Sequence, residues 1–203
     1  MDLARWKKLK APVSLLACLL ILGGCGAVAG AGAGVGVAAV QERGIKRKAQ
    51  DLEIEALILD KFLRSDLKMT ATVGVEVYEG RVLVTGALTN KKTADRAVRF
   101  AWQVKGVKQV INEIQLVPTG IADYAQDTWV TVQLKSVLAL DNQVMAINYV
   151  IETVNGTVYL IGVAQDRVEL NRVIAHANKT KFVRRVISHV RLKSSPKSGK
   201  RPS

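Results

Sequence analysis

The sequence predicts an α+β chain of two tandem αββαβ units, each a small three-stranded mixed sheet packed against two helices. Three observations predict it. First, EVYEGRVLVTG (76–86) aligns without gaps on ETVNGTVYLIG (152–162), and the same offset of 76 lays VKGVKQVINEIQLV (104–117) on TKFVRRVISHVRLK (180–193). Second, apolar residues at spacing four precede each block: Ile54, Ile58 and Phe62 fall on Val130, Leu134 and Leu138, the stripe of an amphipathic helix. Third, Asn155-Gly156, with Glu79-Gly80 at the matching place, marks a two-residue hairpin turn because both positions tolerate positive φ. Two copies at one offset are a tandem duplication, not a solenoid.

Ahead of the repeat, Arg5, Lys7, Lys8 and Lys10 precede an uncharged, Leu-rich run over 13–22 and then small residues, the layout of a secretory signal. Leu22-Gly23-Gly24-Cys25 resembles the bacterial lipobox, in which the cysteine thiol is acylated and becomes the first mature residue. Residues 1–24 are therefore expected to be a lipoprotein signal peptide and Cys25 the lipidated residue. Residues 25–43 form a Gly/Ala-rich spacer with a basic lead-in. A membrane-spanning anchor over 11–40 competes with this reading. Its second half is mostly Gly and Ala, which contribute little transfer free energy. After cleavage Cys18 leaves with the signal, and no free thiol, disulfide or cysteine-based metal site remains.

The first unit is expected over 44–117 and the second over 124–193, joined by the linker PTGIAD (118–123) and followed by a basic tail over 194–203 that is expected to be disordered. Each opens with the apolar-striped helix, for which Asp51 and Asp127 are candidate N-caps. Two hairpin strands follow, and Gly86 and Gly162 end the second of them for conformational reasons. A second helix is expected over about 92–103 and 167–179. The last strand alternates Val110, Asn112, Ile114 and Leu116 on one side with Ile111, Glu113 and Gln115 on the other. The hairpin pair is antiparallel, and the strand–helix–strand crossover makes the last strand parallel to its neighbour. Units of this size bury modest cores, so each alone is expected to be marginally stable.

A formal net charge of +13 and a pI near 10.0 concentrate at the two ends and in the second unit. Nucleic acid is not the expected partner, because aromatic residues do not interleave with the basic runs and a secreted, lipidated chain does not meet it. Enzymatic chemistry finds no support. His176 and His189 read as lone surface histidines without a partner at metal-ligand spacing, and nucleophile-elbow, P-loop and dinucleotide fingerprints are absent. Asp141 and Asp166 read as turn or cap residues. No metal or cofactor is implied.

Binding is the better-supported class. On the helix over 127–139 the core stripe is Val130, Leu134, Val137 and Leu138, whereas Trp129 and Val132 lie off it with Lys135 nearby. A solvent-side tryptophan beside a cation suits a membrane interface; packing of Trp129 on the first unit or the linker is the structural alternative. Arg184 and Arg185 add cationic contact or guard a sheet edge. Trp102 is expected to pack.

Val82, Leu83, Val84 and Gly86, then Val107, Val110, Ile114 and Leu116, carry a pattern that resembles BON domains. The pair of units with the lipobox is similar to the dual-BON-domain lipoproteins of Gram-negative outer membranes. The resemblance implies a non-enzymatic protein associated with phospholipid binding and envelope integrity. Taken with the residues themselves, it makes anionic phospholipid the expected partner of the second unit, and the positions and charges of Trp129, Val132, Lys135, Arg184 and Arg185, not the resemblance, mark them as the contact. A periplasmic scaffold for an outer-membrane assembly machine or a cell-wall enzyme is the other reading. Gly26, not Asp, follows Cys25, which under the usual sorting rule implies the outer membrane, facing the periplasm. One departure stands out: Val104-Lys105-Gly106-Val107 becomes Thr180-Lys181-Phe182-Val183 in the second unit, which changes that turn or adds an exposed aromatic.

Overall fold

The computed structural model describes residues 44–118 and 123–193. The expected signal, Cys25 and its spacer, residues 119–122 of the linker and the basic tail lie outside the described residues.

The first repeat opens with helix α1 (Gly44–Ser65), which buries Ile54, Ile58 and Phe62. The helix starts ahead of Asp51, so that residue is not its N-cap, and the last part of the basic lead-in is helical. A short helix α2 (Leu67–Thr72), capped by Asp66 through its bond from Lys68 N at 2.9 Å, leads into β1 (Val73–Tyr78). Next come β2 (Arg81–Leu88), α3 (Lys91–Trp102) and β3 (Gln109–Leu116). The second repeat runs α4 (Tyr124–Leu140), a 3-10 turn (Ala146–Asn148), β4 (Tyr149–Val154), β5 (Thr157–Ala164), α5 (Arg167–Lys179) and β6 (Arg185–Leu192). Asp123, not Asp127, caps α4, accepting from Gln126 N at 3.1 Å.

Both sheets have the predicted topology: order β1-β2-β3 and β4-β5-β6, the first pair antiparallel and the second parallel. The hairpins turn on Glu79 (φ 55) and Asn155 (φ 48), each followed by glycine at positive φ, as a twist-matched two-residue loop requires. Gly86 and Gly162 do not end their strands. They sit within β2 and β5, opposite Val73 and Tyr149, at φ 143 and 151. A Cβ there would overlap the carbonyl oxygens of Thr72 and Asn148, so the incoming chain presses against the bare backbone.

Each sheet lays one face on its two long helices. Val82 and Val84 pack with Ile58, Phe62 and Ala97, and Val158 and Leu160 pack with Leu134, Leu138 and Val173. The opposite faces of the two sheets meet in a third core of Tyr78, Leu83, Ala87 and Ile111 against Val154, Tyr159, Ile161 and Val163. Central strands β2 and β5 are accordingly buried along their whole length. Two units with modest cores of their own thus share a third, which offsets the size limit on each.

Polar contacts at this interface come in repeat-equivalent pairs. Asn155 Nδ2 donates to Gln115 Oε1 at 3.0 Å, and the equivalent positions, Glu79 and Arg191, form an ion pair. Glu113 and His189 occupy matching places and face each other at 2.8 Å.

Candidate functional site

Among the described residues, the ring contact of Trp129 is made within its own repeat. This side chain lies on the outer side of α4, 44% exposed, with its ring edge-on to Phe182 at 5.6 Å between centroids and 74° between planes. Phe182 is also 44% exposed, and Lys181 Nζ stands 4.7 Å from its ring centroid, within cation–π range. Two half-exposed aromatic rings and a cation thus form one patch.

The backbone shows why Phe182 is there only in the second repeat. Its φ is 70, and the equivalent Gly106 has φ 98. A Cβ on Gly106 would approach Ile54 Cδ1 to 3.0 Å. The residue equivalent to Ile54 is Val130, which has no δ-carbon, so the second repeat has room for a side chain. A left-handed backbone costs an L-residue about 1–2 kcal/mol, and an edge-to-face aromatic pair returns about 0.5–1.5 kcal/mol. The two nearly cancel, so the fold gains little from phenylalanine at this turn. The sequence signal was the loss of the glycine, but the pairing with Trp129 was not legible from it.

The other site residues distribute unevenly. Arg184 follows Phe182 in the same loop; its N donates to Gly156 O at 2.7 Å, and its stem packs over that glycine. Val132 is exposed and lies about 60° round the helix from Trp129. It lines, with Lys135, Glu152 and Thr131, a groove of about 460 Å³ between the repeats. Burial, and next to it the charge of Asp127, raises the Glu152 carboxyl above its ordinary value, while Lys135 opposes that shift. Lys135 therefore faces a carboxylate across the groove. Arg185 opens β6 beside Thr157 and lies near enough to the Tyr159 phenol on the inter-sheet side to oppose the upward shift that burial gives it. The structure gathers Trp129, Phe182 and Lys181, with Val132 adjacent on α4, lays the Arg184 stem on the hairpin, and turns Lys135 and Arg185 elsewhere. Trp102, expected to pack, is 53% exposed at the end of α3.

The histidines are not lone surface groups. His176 Nε2 lies 2.7 Å from Asp141 Oδ2, and His189 pairs with Glu113 across the repeats. Asp141 ends α4 but is also the hub of an ion cluster. Bonds from Arg172, then His176, then the amide of Gln143 hold its carboxyl far below the usual carboxylate range. A carboxyl depressed on folding stabilises the fold above its unfolded value and loses that contribution as pH falls through the folded one. Asp141→Asn is therefore expected to flatten the pH dependence of the urea midpoint below about pH 4 and to leave the neutral shape of the curve unchanged. An unaltered acid limb contradicts this.

Among the described residues, no group of three or more His, Cys, Asp or Glu is placed to hold a metal ion, and no helix is long and apolar enough to cross a membrane.

The BON domain family model matches residues 50–118 and 126–194, one match per repeat. The chain belongs to the BON-domain family. This chain is similar, at 32% identity over 183 residues, to the outer membrane lipoprotein DolP of Haemophilus influenzae, covering 88% of this chain and 94% of that one. A protein of Anaplasma centrale, described as an uncharacterized protein in the gshII 5' region, is 40% identical over 127 residues, 62% of this chain and 84% of its own. The solved structure of CdsD, a structural protein of the type III secretion system of Chlamydia trachomatis, has TM-score 0.26 and 11% identity over 70% of this chain and 93% of that one. That likeness is too low to carry an argument.

Proposed function

We propose that this protein is a non-enzymatic, lipid-anchored envelope protein whose second BON domain holds to anionic phospholipid and thereby supports outer-membrane integrity. The observation that carries the reading is the exposed Trp129–Phe182 pair with Lys181 over it. Indole and phenyl rings gain by entering the headgroup boundary, and a cation beside them meets the phosphates. Lys181 and Arg184 lie in one loop, and each cation near an anionic surface adds about 1 kcal/mol. Acylation of Cys25 supplies the tether and places the domains on the periplasmic side of the outer membrane. The likeness to an outer membrane lipoprotein supports that location. Tethering raises the effective concentration of the patch at the bilayer, so contacts that are weak one by one suffice.

The test uses residues 44–193 without the anchor, mixed with vesicles of phosphatidylglycerol and phosphatidylethanolamine at low salt. Wild-type protein is expected to bind and to be released by salt. Trp129→Glu is expected to weaken partitioning by about tenfold or more, because a buried large side chain contributes about 1.5–3 kcal/mol and 1.4 kcal/mol is a factor of ten. Phe182→Gly, which restores the residue of the first domain, is expected to weaken binding while changing stability by less than about 1 kcal/mol. Absence of wild-type binding at low salt contradicts the reading.

A protein-docking role has one observation in its favour. Ile45, Leu52 and Leu63 are exposed along the side of α1 opposite its core stripe, an apolar face suited to a partner helix. A stable complex in detergent extract that survives Trp129→Glu and is lost on Leu52→Glu would favour this role over lipid contact.

A further inference from the structure

Where the two BON domains meet, repeat-equivalent positions at the two ends of the interface carry different side chains. Thr157 stands where the first domain has Arg81, and Gln115 stands where the second has Arg191. The amide pair Gln115–Asn155 closes one end where Glu79 and Arg191 close the other, so packing the sheets together does not require that ion pair. At that other end Arg47 of α1, Arg81 of β2, Lys108 ahead of β3 and Arg191 of β6 line a cavity of about 410 Å³ with Glu79 and Gln109.

Four cations line that space with one carboxylate among them. Glu79 receives Arg47 Nη1 at 3.1 Å on one oxygen and Arg191 Nη2 on the other, and Lys108 Nζ donates to its main-chain oxygen at 3.1 Å. Nothing is left for Arg81. It is 9% exposed, its Nε donates to Gln109 Oε1 at 3.1 Å, and its buried Nη1 donates to no acceptor. Burial and then the charge of Arg191 lower its pKa from the ordinary arginine value, against the pull of Glu79. A buried guanidinium with an idle donor carries a desolvation cost that an incoming acceptor removes.

We propose that this cavity is an anion site for a phosphate group, with Arg81 as its inner donor and Arg47, Lys108 and Arg191 as its walls. Phosphate suits the donor set better than carboxylate. Several guanidinium forks and an ammonium converge on one space, and three acceptor oxygens engage more of them than two do. Both domains contribute, so occupancy would also clamp them together. The site shares no residue with the aromatic patch, so either can fail without the other.

The experiment observes the arginine Nε–Hε resonances of the full-length chain in a neutral detergent during titration with inorganic phosphate at constant ionic strength, with chloride as the control. Saturable shifts at Arg81 and Arg191 are expected with phosphate and not with chloride. Arg81→Thr and Arg191→Gln install the residues of the matching positions, which keeps the fold. Each is expected to raise the dissociation constant by about tenfold or more, since a charge-assisted bond contributes about 1.5–3 kcal/mol and 1.4 kcal/mol is tenfold. Trp129→Glu is expected to leave it unchanged. Short-chain phosphatidylglycerol that displaces inorganic phosphate assigns the ligand to a lipid headgroup, and failure to displace it assigns a soluble phosphate. Shifts that do not saturate, that chloride reproduces, or that persist with equal affinity in Arg81→Thr overturn the proposal.

Discussion

Gly162→Ala is expected to remove a large share of the stability of the protein, at a cost of at least about 4 kcal/mol. Two effects add. At φ 151 the backbone is in a region that L side chains rarely adopt, and the new methyl would overlap the carbonyl oxygen of Asn148. That oxygen belongs to the backbone that feeds β4, so relief requires moving a strand that pairs with β5 through six residue pairs. A domain of this size has about 5–15 kcal/mol in total. Gly44→Ala is the control, because Gly44 has φ 66 with nothing within 4 Å of its built Cβ; strain alone, about 1–2 kcal/mol, is expected there. A Gly162→Ala protein with a urea midpoint like that of Gly44→Ala would show that β4 yields.

The loss should not stay in the second domain. Ile161 and Val163 flank Gly162 and belong to the inter-sheet core with Leu83 and Ala87. Displacing β5 removes the surface on which the first sheet rests. Trp102 reports on the first domain and Trp129 on the second, so single-tryptophan versions of residues 44–193 are expected to show coincident transitions, the signature of one cooperative unit. Phosphate bound between the domains would move both midpoints together.

The inter-sheet core also shows what was legible in the sequence and what was not. One offset predicted the order of elements, the hairpins and the parallel crossover, because those depend on contacts within a repeat. The pattern on β3 separated Ile111, Glu113 and Gln115 from Val110, Ile114 and Leu116, and the structure keeps that division: Ile111 enters the shared core, Glu113 meets His189, and Gln115 meets Asn155. What covers the second face could not be read from one repeat. Its trace was in RVLVTGAL, where Leu83, Thr85 and Ala87 offer no charged alternation, the mark of a strand buried on both sides. Helix α2 was missed because LKMTAT is too short to show a period. Trp129 was legible as a residue off the core stripe. Its partner was not, because a glycine-to-phenylalanine change in a turn does not say where the ring goes.

Asp51 and Asp127 were misread as caps, and the reason leads to the second large effect. An aspartate ahead of an apolar stripe satisfies the N-cap pattern, yet both lie inside helices and are only 3% and 5% exposed. Each carboxylate reaches across to the hairpin of its own repeat. Asp51 takes the amides of Glu79 and Gly80, both at 2.8 Å. Asp127 takes those of Asn155 at 2.7 Å and Gly156 at 2.8 Å. The two-residue turn leaves these donors without ladder partners, and the helix brings one carboxylate to both. Asp127→Ala is expected to cost about 3–5 kcal/mol, since two charge-assisted bonds are lost and two amides stay buried. Asp127→Asn is expected to lose about half as much, because its amide keeps one acceptor and points a donor at the other N–H. Hydrogen exchange at Asn155 and Gly156 is expected to accelerate in both. A cost under about 1 kcal/mol, or unchanged protection, would refute the clamp. The same substitution reaches the Trp129–Phe182 patch. The hairpin carries the loop that follows it, through Arg184 N to Gly156 O and through the close approach of Gly156 to Phe182 O. Loosening the hairpin loosens the loop that holds Phe182 against Trp129, so Asp127→Ala is also expected to lower vesicle binding, although Asp127 is buried and has no contact with lipid.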